Sequence, residues 1–285
     1  MGRKPEPNPR RRAKPESIRK AKNKSRATAP PDVEHTRTDS ARTKPSGGNS
    51  ESKAGSRNAN LDALRGLAIL LMMVDHTAAF WFDLPIEVGG LRFLTRLSMP
   101  LFCVLLGYFL DPSGDLRPKR YAEVLLAAVL VNLLHWPLEG ELEILPSLLL
   151  SALAGTLLRS LAPVLIAMVF VYQTEPSSRF FDYQLSIVMP LVAHGVLLRR
   201  FGLGWTLLSA TFLLAVTSSG RFIYPQDTHR FLVWFLPPAI MLTWIANRSK
   251  DGRIPVLPIM GRHPLTLYVV HYYLVAGPIV LARMT

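Results

Sequence analysis

The chain has 285 residues, 49% of them hydrophobic, yet it carries 33 Lys and Arg against 20 Asp and Glu, a formal net charge of +13. Strongly basic soluble proteins are polar throughout, and a mean hydropathy of +0.22 excludes that class: charge and apolar mass lie in different parts of the chain. Residues 1–60 hold 16 Lys and Arg and 6 Asp and Glu, a net +10, whereas residues 61–285 are net +3 and hold nearly all of the apolar residues. The single cysteine, Cys103, excludes an internal disulfide and any cysteine-based zinc or iron-sulfur site, and its apolar surroundings assign it to packing.

Pro, Ser, Lys, Arg, Asn and Gly dominate residues 1–60, with no hydrophobic period to repay the entropy of ordering, so this segment is read as a disordered basic tail on the cytoplasmic side. It lacks the apolar stretch of a secretory signal, and its opening MGRKPE lacks the sixth-position Ser or Thr of a myristoylation signal. Arg10, Arg11, Arg12, Lys14, Arg19, Lys20, Lys22, Lys24 and Arg26 suit an orientation signal ahead of a first membrane helix, or contact with anionic lipid; nucleic acid is the less favoured partner.

From residue 61 onward, apolar runs alternate with short polar breaks, which predicts an all-α, polytopic transmembrane bundle over 61–285. Nine spans are expected, at 64–82, 91–110, 121–138, 144–158, 161–173, 183–198, 203–219, 230–247 and 264–282. Charge parity favours nine over eight. With the tail inside, nine spans put Arg117, Lys119, Arg120, Arg199, Arg200, Arg248, Lys250 and Arg253 in the cytoplasm and the acidic loop 139–143 outside. Merging the fourth and fifth spans would move Arg199, Arg200, Arg248, Lys250 and Arg253 outside, against the positive-inside bias.

A bundle with short loops carries its chemistry in ionisable residues at membrane depth. The first span, LDALRGLAILLMMVDHTAAFW, holds Asp75 and His76 about two-thirds of the way across. Arg65 precedes His76 by eleven residues, which returns to nearly the same azimuth at a separation of roughly 16 Å. The plain alternatives are a snorkelling Arg65, a His76 hydrogen-bonded between helices, and an Asp75 neutralised by Arg96 of the second span. In that span, Pro100 is expected to break the helix and Gly107 to permit close approach. Pro264 opens the last span, which brings His271 and Tyr268 to mid-depth. His135 and His194 read as interhelical hydrogen bonders, and Pro237-Pro238 as a kink.

The Arg-x10-His spacing within LDALRGLAILLMMVDH, the segment PLFCVLLGYFL and the closing GRHPLTLYVVH together resemble the integral-membrane acyltransferases. That superfamily includes the acyltransferase family 3, heparan-alpha-glucosaminide N-acetyltransferase-like and TraX-like proteins. The likeness covers the first two spans and the last, about a fifth of the chain; the body is short for a family 3 core, and the basic tail is not part of the pattern. The resemblance implies transfer of an acetyl or short acyl group from cytoplasmic acyl-CoA to a hydroxyl or amine of an extracytoplasmic glycan or peptide, at a cell (inner or plasma) membrane and without a metal. It implies Arg65, Arg117, Lys119 and Arg120, with help from Arg199 and Arg200, for the nucleotide phosphates. It implies His76 as base or acyl carrier beside Asp75, and His271 or Tyr268 orienting the acceptor or stabilising the oxyanion. Arg96 is the structural partner of Asp75, and Arg221, Asp227, His229 and Arg230 belong at the acceptor mouth. Two rivals use the same residues differently. A proton- or ion-coupled transporter would make Asp75, His76, Arg96 and His271 a relay, and a scaffold would act through the tail.

Overall fold

The computed structural model describes residues 58–110, 118–157, 180–218, 233–249 and 256–284, all within the compact unit Ala54–Thr285. Among them the structure is helical, with one isolated bridge between Leu142 and Phe181 in place of any sheet. The helices are α1 (Ala59–Phe80), α2 (Leu91–Thr95), α3 (Ser98–Phe109), α4 (Pro118–Glu139), α5 (Ile144–Leu157), α6 (Leu185–Ser218), α7 (Leu236–Arg248), α8 (Val256–Arg262) and α9 (Pro264–Met284). Among the described residues, five segments are long and apolar enough to cross a membrane: Ala59–Phe80, Leu91–Phe109, Pro118–Glu139, Leu185–Ala215 and Pro264–Ala282. The expected fourth span is the 14-residue α5, and the expected span 161–173 lies outside the described residues.

Local chemistry sets the helix ends. The Asn58 side chain caps α1 by accepting the N–H groups of Asn60 at 3.0 Å and Leu61 at 3.3 Å, and Asp62 adds the negative charge that a first turn favours. The expected break at Pro100 falls earlier. The helix interrupts at Arg96–Leu97, and Pro100 stands in the first turn of α3, where a missing N–H costs nothing. Pro237 and Pro238 stand in the first turn of α7, just past the turn at Phe235 that separates it from the helical Val233 and Trp234, so the chain breaks beside the expected kink. Separate spans were expected either side of Arg199-Arg200, and α6 does break there: Gly202 has φ 78° and ψ −175°, a conformation that a Cβ would strain.

Two pairs of glycines fix the packing. A methyl on Gly107 of α3 would run into the Val192 carbonyl of α6, and one on Gly195 into the Val104 carbonyl, so these helices touch backbone to backbone. Gly66 of α1 and Gly261 of α8 do the same through the carbonyls of Leu257 and Asp62. The core between the helices includes Ala68, Leu101, Val104, Val131, Val188, Leu236, Ile240 and Tyr272.

The bundle has two chemically distinct ends. Asn58 and Asn60 donate to the Asn247 and Ser249 carbonyls, so α1 begins where α7 finishes; this is called the lower end. Arg199 reaches the Tyr108 carbonyl at the foot of α3 from the same end. At the upper end Leu142 N–H donates to Phe180 O at 2.6 Å and Asp182 N–H to Leu142 O at 2.8 Å, which clamps the 140–143 and 180–184 segments together. Leu157, at the far end of α5, and Phe180 therefore lie at opposite ends.

Candidate active site

A cavity of about 550 Å³ runs between α1, α3, α4, α5 and α9. Its lower part is bordered by Arg65, Arg120, Glu123, Arg262 and His263, its middle by Met72, Met99, Phe102, Leu105 and Leu106, and its upper part by Asp75, His76, Arg96, Glu143 and Tyr183. The eleven-residue spacing thus has the consequence that the sequence suggests: Arg65 and His76 open into one space. Arg65 pairs with Asp62 at 3.2 Å and lies 3.8 Å above the Phe109 ring, a contact that holds the guanidinium in place. Arg120 borders the cavity from α4, while Lys119 is exposed and outside its lining. Arg117 lies outside the described residues, as do Arg221, Asp227, His229 and Arg230. Arg199 binds the carbonyls of Tyr108 and Leu110, and neither it nor Arg200 lines the cavity.

His76 meets His271, not Asp75. His76 Nδ1 and His271 Nε2 are 3.0 Å apart, with the rings nearly parallel at 19°. His271 Nδ1 faces the Leu267 carbonyl at 3.2 Å. A carbonyl only accepts, so His271 carries its proton on Nδ1 and, when neutral, accepts at Nε2. His76 then donates through Nδ1, and its Nε2 keeps a lone pair; these tautomers are assigned from the partners. Tyr272 stands edge-on to His76 at 5.6 Å, and its hydroxyl bonds His135 Nδ1, which ties the third-span histidine into the cluster. His194 is elsewhere, buried on α6 with Nδ1 on the Pro190 carbonyl at 2.7 Å.

Asp75 turns away from His76, as adjacent helical residues must. Thr95 donates to its Oδ1 at 2.8 Å, Arg92 Nε lies at 3.5 Å, and the anticipated partner Arg96 lies at 3.9 Å. Arg96 also donates to Tyr183 Oη at 2.6 Å. Asp75 therefore organises the α2–α3 break with two cations instead of one; Arg92 and Thr95 had no signal beyond lying on the next segment. Tyr268 is 4% exposed and lines the cavity, and among the described residues its hydroxyl has no hydrogen-bond partner.

Glu143 and Tyr183 are cavity residues that sequence reasoning missed, because Glu143 reads only as part of an acidic external loop. Asn132 Oδ1 accepts its backbone N–H at 2.9 Å, and Glu143 Oε2 accepts that of Leu145 at 3.0 Å, capping α5. Burial, with Asp182 nearby adding to it, pushes the Glu143 carboxyl up to about 8; burial also raises Asp182 to about 6. A carboxyl whose folded value exceeds its unfolded one keeps its proton while the unfolded chain releases it. Stability is therefore expected to fall as pH rises from about 4.5 to about 8, by at most about 1.4 kcal/mol per unit from Glu143, and to level off above. Thermal midpoints of the detergent-purified protein across this range should decline more steeply for the wild type than for Glu143→Gln.

Residues 58–143 match the family model described as Acyltransferase domain, of the family 3 type. The match is confined to those residues of the 285 and supports, without extending to the rest of the chain, a likeness to the acyltransferase family 3 superfamily. The match takes in the cavity residues Arg65, Asp75, His76, Arg96 and Arg120, and His135 behind them, because α1 to α4 lie wholly within the matched segment. No curated protein and no solved structure matches the chain. Together with the apolar helices of membrane-crossing length among the described residues, the match supports a membrane protein of acyltransferase type.

Proposed function

We propose that the protein moves an acetyl or other short acyl group from cytoplasmic acyl-CoA to a hydroxyl or amine of an extracytoplasmic glycan or peptide. The observation that carries this reading is one shared cavity with Arg65 and Arg120 at one end and His76, backed by His271, at the other. In this reading the lower end, where Arg65, Arg120, Arg199 and Arg248 gather, faces the cytoplasm, as the positive-inside bias favours, and the membrane is the cell (inner or plasma) membrane. The thioester then reaches up past Met72, Met99 and Phe102, a length that the roughly 16 Å between Arg65 and His76 matches.

His76 Nε2 takes the proton from the acceptor's O–H or N–H as that atom attacks the thioester carbonyl. The carbonyl oxygen gathers negative charge, and the Tyr268 hydroxyl donates to it. Collapse breaks the carbon–sulfur bond, and the thiolate leaves with the proton held on His76, which restores the neutral imidazole. His271 Nε2 accepts from His76 Nδ1 throughout, a bond that strengthens while His76 is cationic. Asp75 contributes by fixing Thr95, Arg92 and Arg96 along the wall.

Membranes containing the protein, given acetyl-CoA labelled in the acetyl group, should transfer label to glycan or peptide material, and membranes with His76→Ala should not. Equal labelling by both would remove this mechanism. In the same assay, Tyr268→Phe is expected to lower turnover roughly 100-fold with an unchanged thermal midpoint, because the hydroxyl it removes makes no hydrogen bond among the described residues.

A further inference from the structure

Helix α8 stands outside the expected spans, and its two glycine contacts give it a function in the site. Gly261 rests on the Asp62 carbonyl, and the Leu257 carbonyl rests on Gly66, so α8 is held against the first turns of α1 at the foot of the cavity. The consequence is positional: Arg262 and His263, the two residues between that contact and the start of α9, border the same cavity as Arg65 and Arg120. Both are exposed, whereas the Arg65 side chain is 13% exposed and engaged with Asp62 and Phe109 deeper in. The first turn of the 21-residue α9 opens at the same spot and adds its partial positive charge. Glu123 of α4 is the acid on this rim.

An acyl-CoA with its thioester at His76 presents its diphosphate first and its ribose 3′-phosphate farther out. The cations follow the same order. We propose that Arg262 and His263 form the subsite for the ribose 3′-phosphate of the donor; this rests on the acyl-CoA reading above. The subsite gives the protein a means of preferring a free nucleotide thioester over a donor that carries phosphopantetheine without that phosphate.

The test is binding of CoA and of dephospho-CoA to the detergent-purified full chain, by titration, in wild type, Arg262→Ala, His263→Ala and the double variant. Both side chains are exposed, and unliganded thermal midpoints verify folding. Wild type should bind CoA at least roughly tenfold more tightly than dephospho-CoA. Arg262→Ala and the double variant should bring that ratio toward one while leaving dephospho-CoA affinity within about twofold. Equal affinities in wild type, or a ratio that persists in the double variant, would overturn the subsite. Failure of wild type to bind either nucleotide would instead overturn the acyl-CoA reading beneath it.

Discussion

Replacing His76 with Ala is expected to slow acyl transfer by roughly 10²- to 10⁴-fold at saturating donor, the usual contribution of a positioned base. Binding of acetyl-CoA should stay within about threefold, because the proposed phosphate site at Arg65 lies toward the opposite end of the cavity, eleven residues away along α1. The loss should therefore fall on kcat and not on donor affinity, a split that separates a base from a residue that merely supports the fold. His271→Asn should show a smaller loss of the same kind, since it removes the acceptor for His76 Nδ1–H but leaves His76 in the cavity. Normal turnover in His76→Ala would assign the proton transfer to another residue.

The second large effect is expected at the other end. Arg65→Ala should weaken acetyl-CoA binding by roughly ten- to a hundredfold, the worth of a charge-assisted bond to phosphate, with a lesser effect on kcat once donor is saturating. The variant also deprives Asp62, only 2% exposed, of its 3.2 Å ion pair, so some loss of stability is expected. Asp62→Asn separates the two effects. It breaks the same pair but leaves the guanidinium over Phe109, and it should keep donor affinity or improve it. If Asp62→Asn weakened the donor as much as Arg65→Ala, Arg65 would act through the fold of the lower end and not on phosphate.

Much of this arrangement was legible in the residues. Hydropathy placed the five long apolar helices of the described residues, because a segment without water must satisfy its own backbone and so announces itself by length. Helical period alone aligned Arg65 with His76, and it also set Asp75 on a different face, where the structure finds it with Thr95, Arg92 and Arg96. The pairing of His76 with His271 is different in kind: it joins residues 195 apart, and no local rule fixes the rotation of α9 against α1. Proline was read by its usual effect in a helix interior, while Pro100, Pro237 and Pro238 turned out to stand in first turns, where no N–H is needed. Helix α8 escaped notice because seven residues are too few for a periodic signal, and its Gly261, like Gly66 of α1, acquires meaning only beside the carbonyl it meets. Glu143 was counted as loop charge because burial at a helix cap is a tertiary property.

The most direct measurement is the thermal midpoint of the detergent-purified protein titrated with acetyl-CoA, with ATP as the nucleotide control and Arg65→Ala alongside. At about 100 times its dissociation constant the donor should add roughly 2.7 kcal/mol. The acyltransferase reading predicts a rise with acetyl-CoA that ATP does not reproduce and that Arg65→Ala diminishes. No rise at any acetyl-CoA concentration would contradict it and favour a proton- or ion-coupled transporter built on the same histidines.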